Sequence, residues 1–274
     1  MNINVYQLSK SQNISVKTKG KTFDEITHEL PQGFYTTFST LVQATKVLGL
    51  HMHLQRLYIS AEEQELVPSI GESTLRRVIS KLVESSLPKE SRVRLVLAKS
   101  SGVIYVLIQP FEALASQIFD EGVKVVTAEL TRRAPRVKDT GFIGASIEQR
   151  KLIHRDIFEV LLTKKGNILE GMTSNFYATK GNVLITAQRG ILLGVTRRVI
   201  LRVARGQGML IKYCAPNVHE KFDEAFLTSS SRGVVPIVSI ENKKVGKGRV
   251  GKWTKILSKA YRAYIEEKSE KIAE

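Results

Sequence analysis

The sequence predicts an α+β fold in two domains, and three observations carry that prediction. Residues up to Pro110 read in the order β, α, α, β, β. The next stretch, PFEALASQIFDEG from Pro110 to Gly122, has no clear period and follows a completed α+β unit, so it reads as a connection. Beyond it, strand-like runs resume at VKVVTAEL and continue to a long amphipathic helix near the end. The expected organisation is a small N-terminal α/β domain over 1–112, a connection at 113–122, and a larger C-terminal domain over 123–274.

The elements follow in order. Residues 1 to 32 are mixed, with turn residues at Lys19-Gly20-Lys21 and Pro31-Gln32-Gly33. GFYTTFST, Gly33 to Thr40, is rich in aromatic and β-branched residues and reads as a strand. HMHLQRLYISAEE, His51 to Glu63, reads as a helix whose stripe is Leu54, Leu57, Tyr58 and Ala61, with Arg56 off it. A second helix after Ser73 spaces Leu75, Val78, Ile79, Leu82 and Val83, and Ser86 to Pro88 ends it. Arg92 to Pro110 is strand, Ser-Gly turn, strand. After the strand Val123 to Leu130, TRRAPRVKDTGF is polar, and Ile153, Ile157, Val160 and Leu161 fit one helical face ending near Lys165-Gly166. GNILEGMTSNFYATKGNVLIT, Gly166 to Thr186, reads as two strands turning at Lys180-Gly181-Asn182. Gly190 and Gly194 flank an apolar loop running into a helix from near Thr196. Phe222 to Ile240 is strand, serine turn, strand. The last helix carries Trp253, Ile256, Leu257, Ala260, Tyr261, Tyr264 and Ile265 on one stripe.

Composition narrows the function. The 274 residues suffice for a sizeable core. Cys214 is the only cysteine, which excludes an intrachain disulfide and a cysteine-rich metal site and suits a reducing cytosol. The N-terminal residues lack the apolar run of a signal peptide, and no apolar stretch approaches the length of a membrane span. A cytoplasmic location is therefore expected. The net charge of +16, with local concentrations at Arg132-Arg133, Arg150-Lys151 and Lys243 to Lys252, raises a nucleic-acid surface. No zinc-finger spacing, RNP-type motif or single basic tract supports one, so a solvated basic surface that favours anionic small molecules is preferred.

The central stretch Gly166 to Thr186 sets the chemical problem. Ile168, Phe176, Val183 and Ile185 mark it as buried, with Glu170, Ser174 and Asn175 crowded at its start. A buried carboxylate costs several kcal/mol, roughly, unless a cation or donor meets it. No GxGxxG, P-loop, HExxH or GxSxG is present, and His51 and His53 alternate within one helix, so no metal site is expected. What remains is Lys138, Glu170, Arg56, the Gly194-Val195-Thr196 helix start and the serine turn Ser229 to Ser231. A helix N-terminus with hydroxyls and an arginine suits a phosphate.

HLQRL, APRVK, LEGMTSNFY, LLGVTRR and AFLTSSSRGVVPIV, in that order over about residues 30 to 260, resemble the class IV (fold-type IV) pyridoxal-phosphate enzymes. That family includes branched-chain and D-amino-acid aminotransferases and aminodeoxychorismate lyase. The resemblance implies a C-terminal pseudo-barrel domain, an active site between domains, and a homodimer. Lys138 matches the lysine that forms the Schiff base with pyridoxal 5'-phosphate and then carries protons. Glu170 matches the carboxylate that keeps the pyridine nitrogen protonated, and that nitrogen would be the cation the buried acid needs. Arg56 would hold the phosphate with the Val195 and Thr196 N–H groups, the Thr196 hydroxyl and Ser230, while Leu192 packs on the ring face. Tyr35, Thr37 and Ser231 are the candidate substrate contacts. Two departures stand out: Phe142 and Ile143 occupy positions where many relatives carry a tyrosine, and Val103 to Leu114 lacks the arginine and histidine pattern of D-amino-acid enzymes.

The resemblance implies an aminotransferase acting on a branched-chain-like amino acid and a 2-oxo acid. The alternative is 4-amino-4-deoxychorismate lyase, releasing 4-aminobenzoate and pyruvate. EGMTSN is similar to the aminotransferase versions of its motif, whereas Tyr35 to Phe38 is similar to the lyase pattern.

Overall fold

The computed structural model describes residues 3–9 and 12–273. In chain order it begins with β1 (Asn4–Leu8), β2 (Asn13–Ser15), α1 (Phe23–Glu29), β3 (Gly33–Leu41), β4 (Lys46–Val47), α2 (Leu50–Glu62), α3 (Glu72–Glu84), β5 (Ser91–Ala98) and β6 (Ile104–Pro110). Next come α4 (Ser116–Glu121), β7 (Val123–Glu129), α5 (Gly141–Ala145), α6 (Ile147–Arg150), β8 (Ile157–Lys164), β9 (Asn167–Gly171), β10 (Asn175–Lys180) and β11 (Val183–Thr186). The chain continues through α7 (Val195–Gly206), β12 (Leu210–Tyr213), β13 (Glu224–Ser229), β14 (Gly233–Ile240), β15 (Lys243–Lys244), α8 (Lys252–Lys268) and β16 (Glu270–Lys271). Two units result. The first holds the described residues through Glu112, Val137–Ala145 and the chain from Lys268; the second holds Ala113–Arg136 and Ser146–Glu267. Among the described residues no helix is long and apolar enough to cross a membrane.

The first unit is a seven-stranded sheet in the order β16-β4-β3-β5-β6-β1-β2. Its strands alternate faces. Phe34 and Phe38 of β3 join Val93, Leu95 and Leu97 of β5 in one core, while Tyr35 and Val96 join Phe23, Ile26 and Ile143 in another. Helices α2 and α3 cover the first face through Leu54, Leu57, Ala61, Leu75, Ile79 and Val83, the stripes that their spacing predicts. Thr22 caps α1 by accepting the Glu25 N–H, a helix missed in the mixed first 32 residues because it is only two turns long. Gly33 is required for close strand approach: a Cβ there would lie 2.0 Å from the Leu97 carbonyl oxygen.

The second unit is a nine-stranded mixed sheet, β12-β11-β10-β13-β14-β7-β8-β9, with β15 paired to β14. The sheet curls into a half-barrel around Val125, Leu161, Ile168, Phe176, Leu227 and Val235. Here two expectations are corrected. The helix expected around Ile153 to Leu161 is the strand β8, parallel to β7 and antiparallel to β9. Val160, Leu161 and Leu162 are all buried, so an interior strand presents a continuous apolar run that happens to match helical spacing. The stretch Gly166 to Thr186 holds three strands, not two. Glu170 sits on β9, and the hairpin turning at Gly181, with φ of 58°, is β10–β11.

Candidate active site

In the first unit, the backbone around Lys138 is fixed along the start of β3. The Lys138 carbonyl accepts the Tyr35 N–H at 2.8 Å, and Thr140 and Gly33 exchange bonds of 2.9 Å through the Thr140 N–H and hydroxyl. Asp139 accepts the Gly141 N–H at 2.6 Å and pairs with Lys99. The Lys138 amine stands 4.6 Å from the centroid of the Tyr35 ring. Arg94 lies 4.9 Å from that ring and donates to the Thr37 hydroxyl at 3.1 Å. Tyr35 and Thr37 thus share one face of β3 with a buried arginine that Asp24 pairs at 2.7 Å. Phe142 and Ile143 are buried apolar residues of α5.

Sequence reasoning missed His53. It is 1% exposed, and its Nδ1 lies 2.6 Å from the Thr36 hydroxyl. The available signal was its position four residues before Leu57, on the buried side of α2. Burial, then the charges of Arg56 and Lys138, holds its imidazole well below the usual histidine range. Below about pH 6.5 the unfolded chain binds a proton that folded His53 refuses, so stability falls as the pH drops from 6.5 toward the lower folded value. The slope approaches about 1.4 kcal/mol per pH unit. Urea midpoints between pH 7.5 and 5 should fall less steeply in His53→Asn than in the parent; equal acid slopes would remove His53 as the responsible group.

In the second unit, Glu170 is 2% exposed and firmly held. Its carboxylate accepts Arg132 Nε at 2.7 Å, the Leu192 N–H at 3.0 Å and the Asn175 amide at 3.3 Å. The cation demanded by this buried acid is present in the chain itself, which corrects the assignment of that need to a ligand ring nitrogen alone. Arg132 also donates to the Met172 carbonyl at 2.9 Å. In the sequence it was hidden in the Arg132-Arg133 pair, because nothing local marks which arginine turns inward.

Leu192 leads from this acid to the start of α7. The Asn175 amide donates to the Leu192 carbonyl at 2.8 Å, and a Cβ on Gly194 would meet Asn175 Oδ1 at 2.4 Å. Gly194 starts α7 and, having no side chain, supplies no cap, so Val195 and Thr196 open the first turn. The Thr196 and Ser230 hydroxyls lie 3.5 Å apart. Tyr261, hydrogen-bonded to Thr196, has its phenol pushed up to about 12 by burial, so it remains a hydroxyl. The serine turn is braced by Arg232, which donates to Ser229 at 3.1 Å and to buried Glu159 at 2.9 Å. Ser231 lies on the same turn and is partly exposed. A fixed buried carboxylate, an uncapped helix start and paired hydroxyls make a donor set that fits a pyridoxal phosphate, with its basic ring nitrogen and its phosphate.

Comparison with known proteins agrees with this chemistry. A family model described as amino-transferase class IV matches residues 33–240. A branched-chain-amino-acid aminotransferase of Pseudomonas aeruginosa is 28% identical over 85% of this chain and 83% of its own length. A D-alanine aminotransferase of Bacillus licheniformis is 26% identical over 75% and 78%. Among solved structures, the T.th. branched-chain amino acid aminotransferase with pyridoxamine 5'-phosphate superposes with a TM-score of 0.83 at 16% identity, over 98% of both chains. The chain therefore belongs to the class IV aminotransferase family and is a pyridoxal-phosphate-dependent transaminase.

Proposed function

We propose that this transaminase moves an amino group between a branched-chain-like amino acid and a 2-oxo acid, using Lys138 as its catalytic base. The observation that carries the reading is the Glu170 carboxylate, held by Arg132, Asn175 and the Leu192 N–H two residues before the uncapped start of α7. Bound pyridoxal phosphate supplies an aldehyde that takes up the amino group and a protonated ring that draws electrons from the substrate α-carbon. The chain's own residues do the rest. Glu170 keeps a positive charge on the ring nitrogen. Arg56, the Val195 and Thr196 N–H groups, the Thr196 hydroxyl and Ser230 hold the phosphate, and Leu192 packs on the ring. Lys138 Nζ would hold the aldehyde carbon and, when free, would move the proton at the substrate α-carbon. Tyr35, Thr37 and Ser231 contact the substrate.

The assignment to branched-chain donors rests on the relatives of that name and on the absence of a D-amino-acid pattern in Val103 to Leu114. The relatives named above are aminotransferases, which disfavours the lyase despite Tyr35 to Phe38. A panel of L-leucine, L-isoleucine, L-valine and D-alanine against 2-oxoglutarate, run beside a 4-aminobenzoate release assay, tests the choice. L-Leucine turning over at least about tenfold faster than D-alanine is expected, a discrimination of about 1.4 kcal/mol. Preferred D-alanine turnover, or release of 4-aminobenzoate without an oxo-acid acceptor, would replace the reading. We further infer a cytoplasmic homodimer, the first from the lone Cys214 and the second from the family; light scattering checks the mass in solution.

A further inference from the structure

The charge of +16 far exceeds what the residues described above use. Part of it gathers in the second unit around a cleft of about 760 Å³, where the segment after β15 and the first turn of α8 meet Asp223 and Glu224. Lys247, Arg249, Lys252 and Lys255 line this cleft, with Val250 and Ile256 as its apolar wall. All four cationic side chains belong to exposed residues.

The two carboxylates in the cleft are engaged by the backbone. Glu224 accepts the Trp253 and Thr254 N–H groups at 2.9 and 2.7 Å and the Thr254 hydroxyl at 2.7 Å. Asp223 accepts the Gly181 N–H at 2.7 Å. The loop is shaped around these acids: a Cβ on Gly246 would lie 2.1 Å from the Asp223 carbonyl oxygen, and one on Gly251 would lie 2.0 Å from the Glu224 carboxyl carbon. None of the four cations forms an ion pair among the described residues. Four unpaired cations thus face two carboxylates already committed elsewhere. Because Glu224 occupies the start of α8, attraction for an anion comes from the lysine and arginine head groups rather than from the helix end.

We propose that this cleft is a second binding site, for a compact anion carrying contiguous phosphates, either a nucleoside triphosphate or an inorganic polyphosphate. The volume falls within the range of small-ligand sites, and four cations against two carboxylates in one open cleft suit several phosphate charges on one small molecule. A long nucleic acid needs an extended basic track, and a DNA duplex is therefore the competing probe. The site shares no residue with those assigned to pyridoxal phosphate, so it stands or falls independently of the proposed substrate.

Calorimetry on the pyridoxal-phosphate-loaded enzyme tests it, with inorganic tripolyphosphate, ATP and a 20-base-pair DNA duplex as probes. One saturable tripolyphosphate site per chain is expected, weakening several-fold between about 50 and 200 mM salt. The triple variant Lys247→Ser/Arg249→Ser/Lys252→Ser should lose at least about tenfold in affinity while keeping transaminase turnover. A control that removes the same charge at exposed Lys17, Lys81 and Lys89 should stay within about twofold. ATP binding tighter than tripolyphosphate identifies a nucleotide site, and equal binding identifies the phosphate chain as the whole determinant. Equal loss in the control, absence of saturable binding by either phosphate, or tighter binding of the duplex with the same sensitivity to the triple variant overturns the proposal.

Discussion

Lys138→Ala is expected to lower turnover by at least about a thousandfold and to leave no cofactor attached to the chain after borohydride treatment. In the parent protein, the same treatment should add the mass of the reduced cofactor to the peptide containing Lys138. The loss should be chemical rather than structural. The Lys138 side chain is partly exposed, and the bonds that fix its segment run through the Lys138 carbonyl, the Thr140 hydroxyl and the Asp139 carboxylate, all of which survive truncation. The melting temperature should therefore change little, and methylamine should restore part of the lost activity by carrying the proton in place of the missing amine. Borohydride labelling of another lysine in the parent would transfer the role away from Lys138.

The contrast between Lys138 and its surroundings indicates what the sequence can and cannot disclose. Strands and helices with one dominant neighbour were legible, because their periodicity records the face they bury: Leu54 and Leu57 on α2, Leu75 and Ile79 on α3, Leu257 and Tyr261 on α8. β8 was misread because both of its faces are covered, which erases the alternation that marks a strand. The functional residues followed the same division. Glu170 and Lys138 stood out through motif order, and the Thr196–Ser230 pairing joins two stretches separately singled out. His53 and Arg132 did not stand out. Their importance lies in partners far along the chain, Thr36 for one and Glu170 for the other, and a long-range polar contact leaves no periodic trace. For the Arg132–Glu170 pair, the sequence marked the acid and not the cation that satisfies it.

That asymmetry shapes the second large effect. Glu170→Gln should reduce turnover by about a hundredfold or more while the cofactor remains attached to Lys138. The amide preserves the shape of the site but cannot hold a positive charge on the ring nitrogen, so the electron sink weakens. It also leaves Arg132, 8% exposed, without its carboxylate. Breaking a buried pair from one side costs about 3–5 kcal/mol, so Glu170→Gln should also unfold at lower urea. The two losses separate in the double variant Glu170→Gln/Arg132→Met. Removing the stranded guanidinium should recover most of the stability, because exchanging both members of a buried pair is often close to neutral. It should recover none of the turnover, because the charge facing the ring is still gone. Urea midpoints and single-turnover rates on the three proteins decide the matter. If rate returned together with stability, Glu170 would be a structural partner of Arg132, and the charge on the ring nitrogen would have to be held by another group.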